Sequence, residues 1–130
     1  MLILFRHNAK KIAYDTVSGS LTPLSALTWR MLEAAQPPLG PVCPTALRYE
    51  LAKYDSADVE EAYDALYEKA ADGVIFAPEN GVLQTPDTDE ETARAALLAA
   101  AEHLTAPVAV AGPHAALARE ILNSKGLLKT

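Results

Sequence analysis

The sequence predicts an α+β protein: a three-stranded antiparallel sheet packed on three helices, followed by a C-terminal helix–strand–helix extension. Three observations carry this expectation. Apolar residues broken by turn formers fill the first 24 positions. Residues 55–72 keep a strict helical period. "PVAVAG" then reads as a buried strand set between two helices. With 130 residues, half of them hydrophobic, the chain suffices for one domain, or for one small domain with an extension.

The elements follow in order. Residues 2–6 form a first strand, and His7-Asn8-Ala9-Lys10 a polar turn. Residues 11–16 form a second strand, with Ile12 and Tyr14 on one face and Ala13 and Asp15 on the other. "VSGS" supplies a glycine where a hairpin turn needs positive φ. Residues 20–24 form a short third strand with Leu21 inward. Pro23 cannot donate to a ladder, which places this strand at a sheet edge.

Ser25 suits the N-cap of a first helix, apolar over a wide arc through Leu27, Met31 and Ala34 and through Trp29, Leu32 and Ala35. The prolines of "QPPLGPVCP" end it. Thr45 is the expected cap of a shorter second helix. Asp55 or Ser56 caps the third, whose buried stripe is Val59, Ala62, Tyr63, Leu66, Tyr67 and Ala70. Gly73 stops it, and Val74, Ile75 and Phe76 make a short strand or extended arm. "APENGVLQTPDTD" is rich in turn formers and reads as a linker over residues 80–88. It separates a domain at 1–79 from an extension at 89–130. There Thr88 and Glu91 form a capping box, residues 108–111 a strand, and Pro113 opens the last helix.

The chemistry is sparse. Eleven Lys and Arg against seventeen Asp and Glu give a net charge of −6. That opposes a phosphate-neutralising surface and suits a partner of positive charge. Cys43 is the only cysteine, so no disulfide or multi-cysteine metal site forms within one chain. His7, His103 and His114 make no HxH or HxxxH pair. Asp58, Glu60, Glu61, Asp64 and Glu68 line the third helix, as a solvated face or an electrostatic docking surface. "GSLTPLS" is neither a P-loop nor GxSxG, and "VAVAGPHAA" lacks GxGxxG. The expectation is a protein without catalytic residues, metal or cofactor, and not an enzyme. "MLILFRHNAKK" is too short for a signal-peptide core, and no run approaches the roughly 20 apolar residues of a span. A cytoplasmic location is expected, with neither membrane nor nucleic acid as partner.

Three strands, three helices and an apolar arm are the order of a small winged-helix-like domain. Within it, "IAYDTVSGSLTPLSALTWRML" and "KYDSADVEEAYDALYEKAADGVIFAPE" resemble the RiPP precursor peptide recognition element (RRE), the PqqD-like domain. The likeness is closest to versions fused ahead of radical SAM maturases of thioether (SCIFF-type) peptides. Asp15, Ser18, Gly19, Gly73 and Phe76 agree in order and spacing over residues 2–79. The resemblance implies a non-catalytic role in RiPP biosynthesis. The domain captures the leader of a ribosomally synthesised precursor peptide by β-strand addition and presents it to a modifying enzyme, such as a radical SAM maturase. It implies a groove between the third strand (Ser20, Leu21, Thr22, Pro23, Leu24) and the third helix. Tyr63 and Tyr67 stand on the wall and Glu60 and Asp64 on the rim, facing Lys or Arg of an extended leader. A proline at Thr22 removes a docking donor if that N–H faces outward.

Other readings stay open. The fused maturases continue into CxxxCxxC, absent here, so the chain is a stand-alone recognition protein or the N-terminal fragment of a longer enzyme. An acidic winged-helix regulator shares the element order, but its reading helix carries five acids against Lys69. A small enzyme of another type is a third reading. A bare strand edge also admits a homodimer.

Overall fold

The computed structural model describes residues 1–129. β1 (Leu2–His7) and β2 (Lys10–Asp15) pair antiparallel, with Leu2 opposite Asp15 and His7 opposite Lys10. The two residues between them, Asn8 and Ala9, are left-handed at φ 51° and 61°. That is the two-residue hairpin turn whose twist matches the strands. Asn tolerates this conformation; Ala9 is held in it at a cost of about 1 kcal/mol. β3 (Leu21–Leu24) pairs with β2, and the sheet order β1-β2-β3 leaves β3 at an edge.

α1 (Ala26–Ala34) opens on a capping box between Ser25 and Thr28. α2 (Thr45–Glu50) starts from Pro44 with no side-chain cap, so Thr45 sits inside the helix instead of capping it. α3 (Ser56–Ala71) is capped by Asp55, which accepts from the Ala57 N–H. Gly73, at φ 73°, closes it by letting the Val74 N–H reach back to the Lys69 carbonyl at 2.9 Å. The expected stripe is inward, with Val59, Tyr63 and Leu66 buried.

The period of two in the strands divides the core. Ala13, with Leu2, Leu4 and Leu24 behind it, packs on α1, α2 and α3. Ile3, Phe5 and Tyr14, with Ile12 and Leu21, meet a second apolar layer built from the C-terminal extension. Both faces of the sheet are therefore covered. The second layer comprises β4 (Val82–Gln84), α4 (Glu90–His103), β5 (Ala109–Ala111) and α5 (Ala115–Ser124). β4 and β5 form a small parallel sheet. α4 packs along β1, and its small buried residues Ala93, Ala96 and Ala100 permit that close approach.

The segment expected to be a linker thus contains β4, and it is tied to the hairpin. The Gln84 N–H donates to the Thr16 carbonyl at 2.8 Å, and the Tyr14 hydroxyl donates to the Gln84 carbonyl at 2.5 Å. Burial, with Asp15 beside it, pushes the Tyr14 hydroxyl far above the ordinary tyrosine range, so it stays a donor. Gly19, at φ 77°, lies so close to the end of β4 that a Cβ there would sit 3.1 Å from the Thr85 carbonyl oxygen.

Residues 74–76 form no strand. They are an arm latched under the hairpin turn. Ser20 Oγ donates to the Val74 carbonyl at 2.6 Å. The buried Asp15 carboxylate accepts from the Val17 and Ser18 N–H groups at 2.9 Å each, and from the Ala77 N–H at 3.2 Å. α4 is capped by Asp89 instead of Thr88, and α5 begins after His114 instead of at Pro113.

Candidate functional site

An antiparallel strand turns its N–H and C=O groups alternately toward one neighbour and the other. The Asp15 N–H donates to the Ser20 carbonyl, which makes this opposed pair a hydrogen-bonded one. Two residues on, Ala13 and Thr22 are the next such pair, then Lys11 and Leu24. Thr22 thus turns its N–H inward, toward β2. The outward groups of β3 are the Leu21 N–H and the Leu21 and Pro23 carbonyls. Proline at residue 23 removes the other outward donor, and proline at Thr22 would break the β2–β3 ladder instead of a docking bond.

Beside this edge opens a cleft of about 650 Å³. It lies on the face covered by α4, at the end where that helix begins. Its floor is Ile12, Leu21 and Pro23. One end is closed by the β1–β2 turn with Lys10 and Lys11, and the far wall is Thr88, Asp89 and Thr92. Alternation of the strands sends Lys10 to the same face as Ile12. Among the described residues neither Lys10 nor Lys11 has an ion-pair partner, whereas Arg30, Arg48 and Arg94 each have one.

The one carboxylate on the cleft wall is engaged by its own helix. Asp89 accepts from the Thr92 N–H at 2.9 Å and from the Thr92 and Thr88 hydroxyls at 2.8 and 3.2 Å. These bonds, the Thr92 N–H first, hold its carboxyl below the ordinary carboxylate range. A folded-state value below the unfolded one makes a contribution that is full above the unfolded value. It fades as pH falls through the folded value. In an NMR titration the Thr92 amide should therefore keep its capped shift below the usual aspartate midpoint and move only in more acid solution. A Thr92 midpoint at the ordinary aspartate value would contradict this.

The structure divides the nine residues expected to bind peptide. Leu21, Pro23 and Leu24 line the cleft. Ser20 is committed to the Val74 carbonyl, and Thr22 is buried. Tyr63 is core: it is 1% exposed, and its hydroxyl donates to the Gly40 carbonyl at 2.8 Å. Tyr67 is half-buried in the same helical core. Glu60 pairs with Arg48, and Asp64 is exposed on α3. None of the four α3 residues lines the cleft. The helix that packs on β3 is α1, and the helix terminus that walls the cleft is that of α4. Lys10, Lys11 and Asp89 were missed in the sequence because nothing local brings residues 10 and 89 to one wall. The available signal was that residues 1–14 hold Arg6, Lys10 and Lys11 and no acid.

Elsewhere, Cys43 is buried, and burial pushes its thiol up. No three His, Cys, Asp or Glu side chains gather among the described residues in a way that would hold a metal ion. No helix among them is long and apolar enough to cross a membrane. No protein-family model, curated protein or solved structure matches the chain.

Proposed function

We propose that the chain is a non-catalytic binding protein. It captures the leader segment of a ribosomally synthesised precursor peptide by strand addition and presents it to a modifying enzyme. The observation that carries this reading is the free edge of β3 opening onto a cleft with an apolar floor. Strand addition needs both parts: main-chain groups for affinity, and pockets for alternate side chains for selectivity. The Leu21 N–H with the Leu21 and Pro23 carbonyls supplies the first, and Ile12, Leu21 and Pro23 supply the second. The likeness of residues 2–79 to the recognition element supports the leader of a precursor as the cargo and a radical SAM maturase as the recipient.

The test uses the short peptides encoded beside the gene, titrated into the 15N-labelled chain. The expected result is saturable shifts at the amides of Leu21 and Ile12. Leu21→Pro removes the outward donor yet spares the inward ladder, and it should weaken binding about tenfold, the equivalent of one good hydrogen bond. Leu21→Val should change it little. Shifts confined to α3, or equal affinity for Leu21→Pro, would refute docking at β3.

A further inference from the structure

We infer that the occupant of the β3 cleft carries an acidic side chain, placed two residues before the first of two alternate apolar anchors. This rests on the strand-addition reading and assigns the ligand's charge and spacing. The chain as a whole is acidic, at −6, yet its cleft presents two cations with no partner. Every arginine ion pair lies away from the cleft lining.

The register converts this into a pattern. Across the sheet, Ile3, Tyr14 and Leu21 stand in one row, and Phe5, Ile12 and Pro23 in the next, on the cleft face. His7 and Lys10 begin the third row. The residue of β3 that would complete that row is Ser25, which leaves the sheet to cap α1. No β3 side chain therefore stands between Lys10 and a strand added at the edge. Neighbouring strands lie about 4.8 Å apart, so the gap is roughly 10 Å, which a lysine and a glutamate span together. An added strand running antiparallel to β3 places its residues in the order acid, any, apolar, any, apolar. The acid meets Lys10, the first anchor sits over Pro23 and Ile12, and the second over Leu21. Lys11 borders the same end, its side chain alternating to the face of Ala13 and Leu24. Asp89 does not cancel it for a ligand that stays on the β3 side, since its oxygens face the first turn of α4. A nucleic acid is the poorer fit to the same cations. Two lysines neutralise few phosphates, and the apolar floor gives a phosphate backbone nothing.

The test is a selection from a displayed library of randomised dodecapeptides against the full chain, run in parallel on the Lys10→Glu/Lys11→Glu variant. Lys10 is exposed and Lys11 half-buried, with no ion pair to lose among the described residues, and the variant's circular dichroism should match that of the wild type. The expected result has two parts. Peptides enriched on the wild type carry Asp or Glu two residues before an alternating apolar pair, and the variant enriches Lys or Arg at that position. A synthetic peptide from the wild-type pool should bind the variant at least tenfold more weakly in low salt, with the difference shrinking in 1 M salt. If enriched peptides shift the Leu21 amide but show no acid, or a base, at that position, the charge assignment is overturned and strand addition stands. If no peptide is enriched, or those enriched leave Leu21 unmoved, both readings fall. Displacement of the selected peptides by a stoichiometric DNA duplex would overturn the assignment in favour of a nucleic-acid site.

Discussion

A chain ending at Glu79 should not fold. Cutting there removes β4, α4, β5 and α5, and it uncovers the sheet face formed by Ile3, Phe5, Ile12, Tyr14 and Leu21. Burying a large apolar side chain stabilises by about 1.5–3 kcal/mol, so the loss over these five is on the order of 10 kcal/mol. That equals the whole stability of an ordinary domain. It also orphans the Thr16 carbonyl and the Tyr14 hydroxyl, whose partners lie in residue 84. The measurement is the amide spectrum of the 15N-labelled fragment, in which narrow dispersion and precipitation are expected. A well-dispersed spectrum, with Ile3 and Phe5 protected from exchange, would show that the helices on the other face hold the sheet alone.

Asp15→Ala should be the most damaging single substitution in the hairpin. The carboxylate is wholly buried, and three backbone donors depend on it: Val17, Ser18 and Ala77. Two of these shape the turn, and the third fastens the arm that follows α3. The acceptor is buried but the donors lie at half-buried or exposed positions, so each lost bond costs about 1 kcal/mol and a loss of about 3 kcal/mol is expected. Asp15→Asn keeps one acceptor oxygen for the turn but can turn an NH₂ toward Ala77, and it should fall between the two. Urea unfolding followed through Trp29, the only tryptophan, measures both. An alanine variant within 1 kcal/mol of the wild type would show that water replaces the carboxylate.

The N-terminal half was legible because its signals are local. Gly73 sits where the chain reverses handedness, and Pro23 marks an edge whatever lies elsewhere. The stripe from Val59 to Ala70 faces the core by its period alone. β4 was not legible, since three residues between "NG" and "TP" carry no pattern of their own. Val82, Leu83 and Gln84 are extended because β5 lies on one side and Thr16 on the other, and neither is near in sequence. The alanines of residues 95–101 announced a helix face, but not which surface it would lie on. The edge of β3 was thus foreseen, while the wall beside it was sought on α3. The structure supplies that wall from the first turn of α4, some seventy residues downstream.

On the strand-addition proposal, Pro23 also sets a clock. A strand laid on β3 can exchange two hydrogen bonds with Leu21, but at Pro23 it finds only an acceptor. Three main-chain bonds, each worth about 1 kcal/mol net, hold it. A micromolar complex needs about 8 kcal/mol, so most of the grip must come from side chains in the cleft. With association near 10⁶ M⁻¹s⁻¹, roughly typical of protein complexes, such a complex lasts on the order of a second. A longer ladder would lengthen that dwell time with each bond added. One proline keeps the dwell time short.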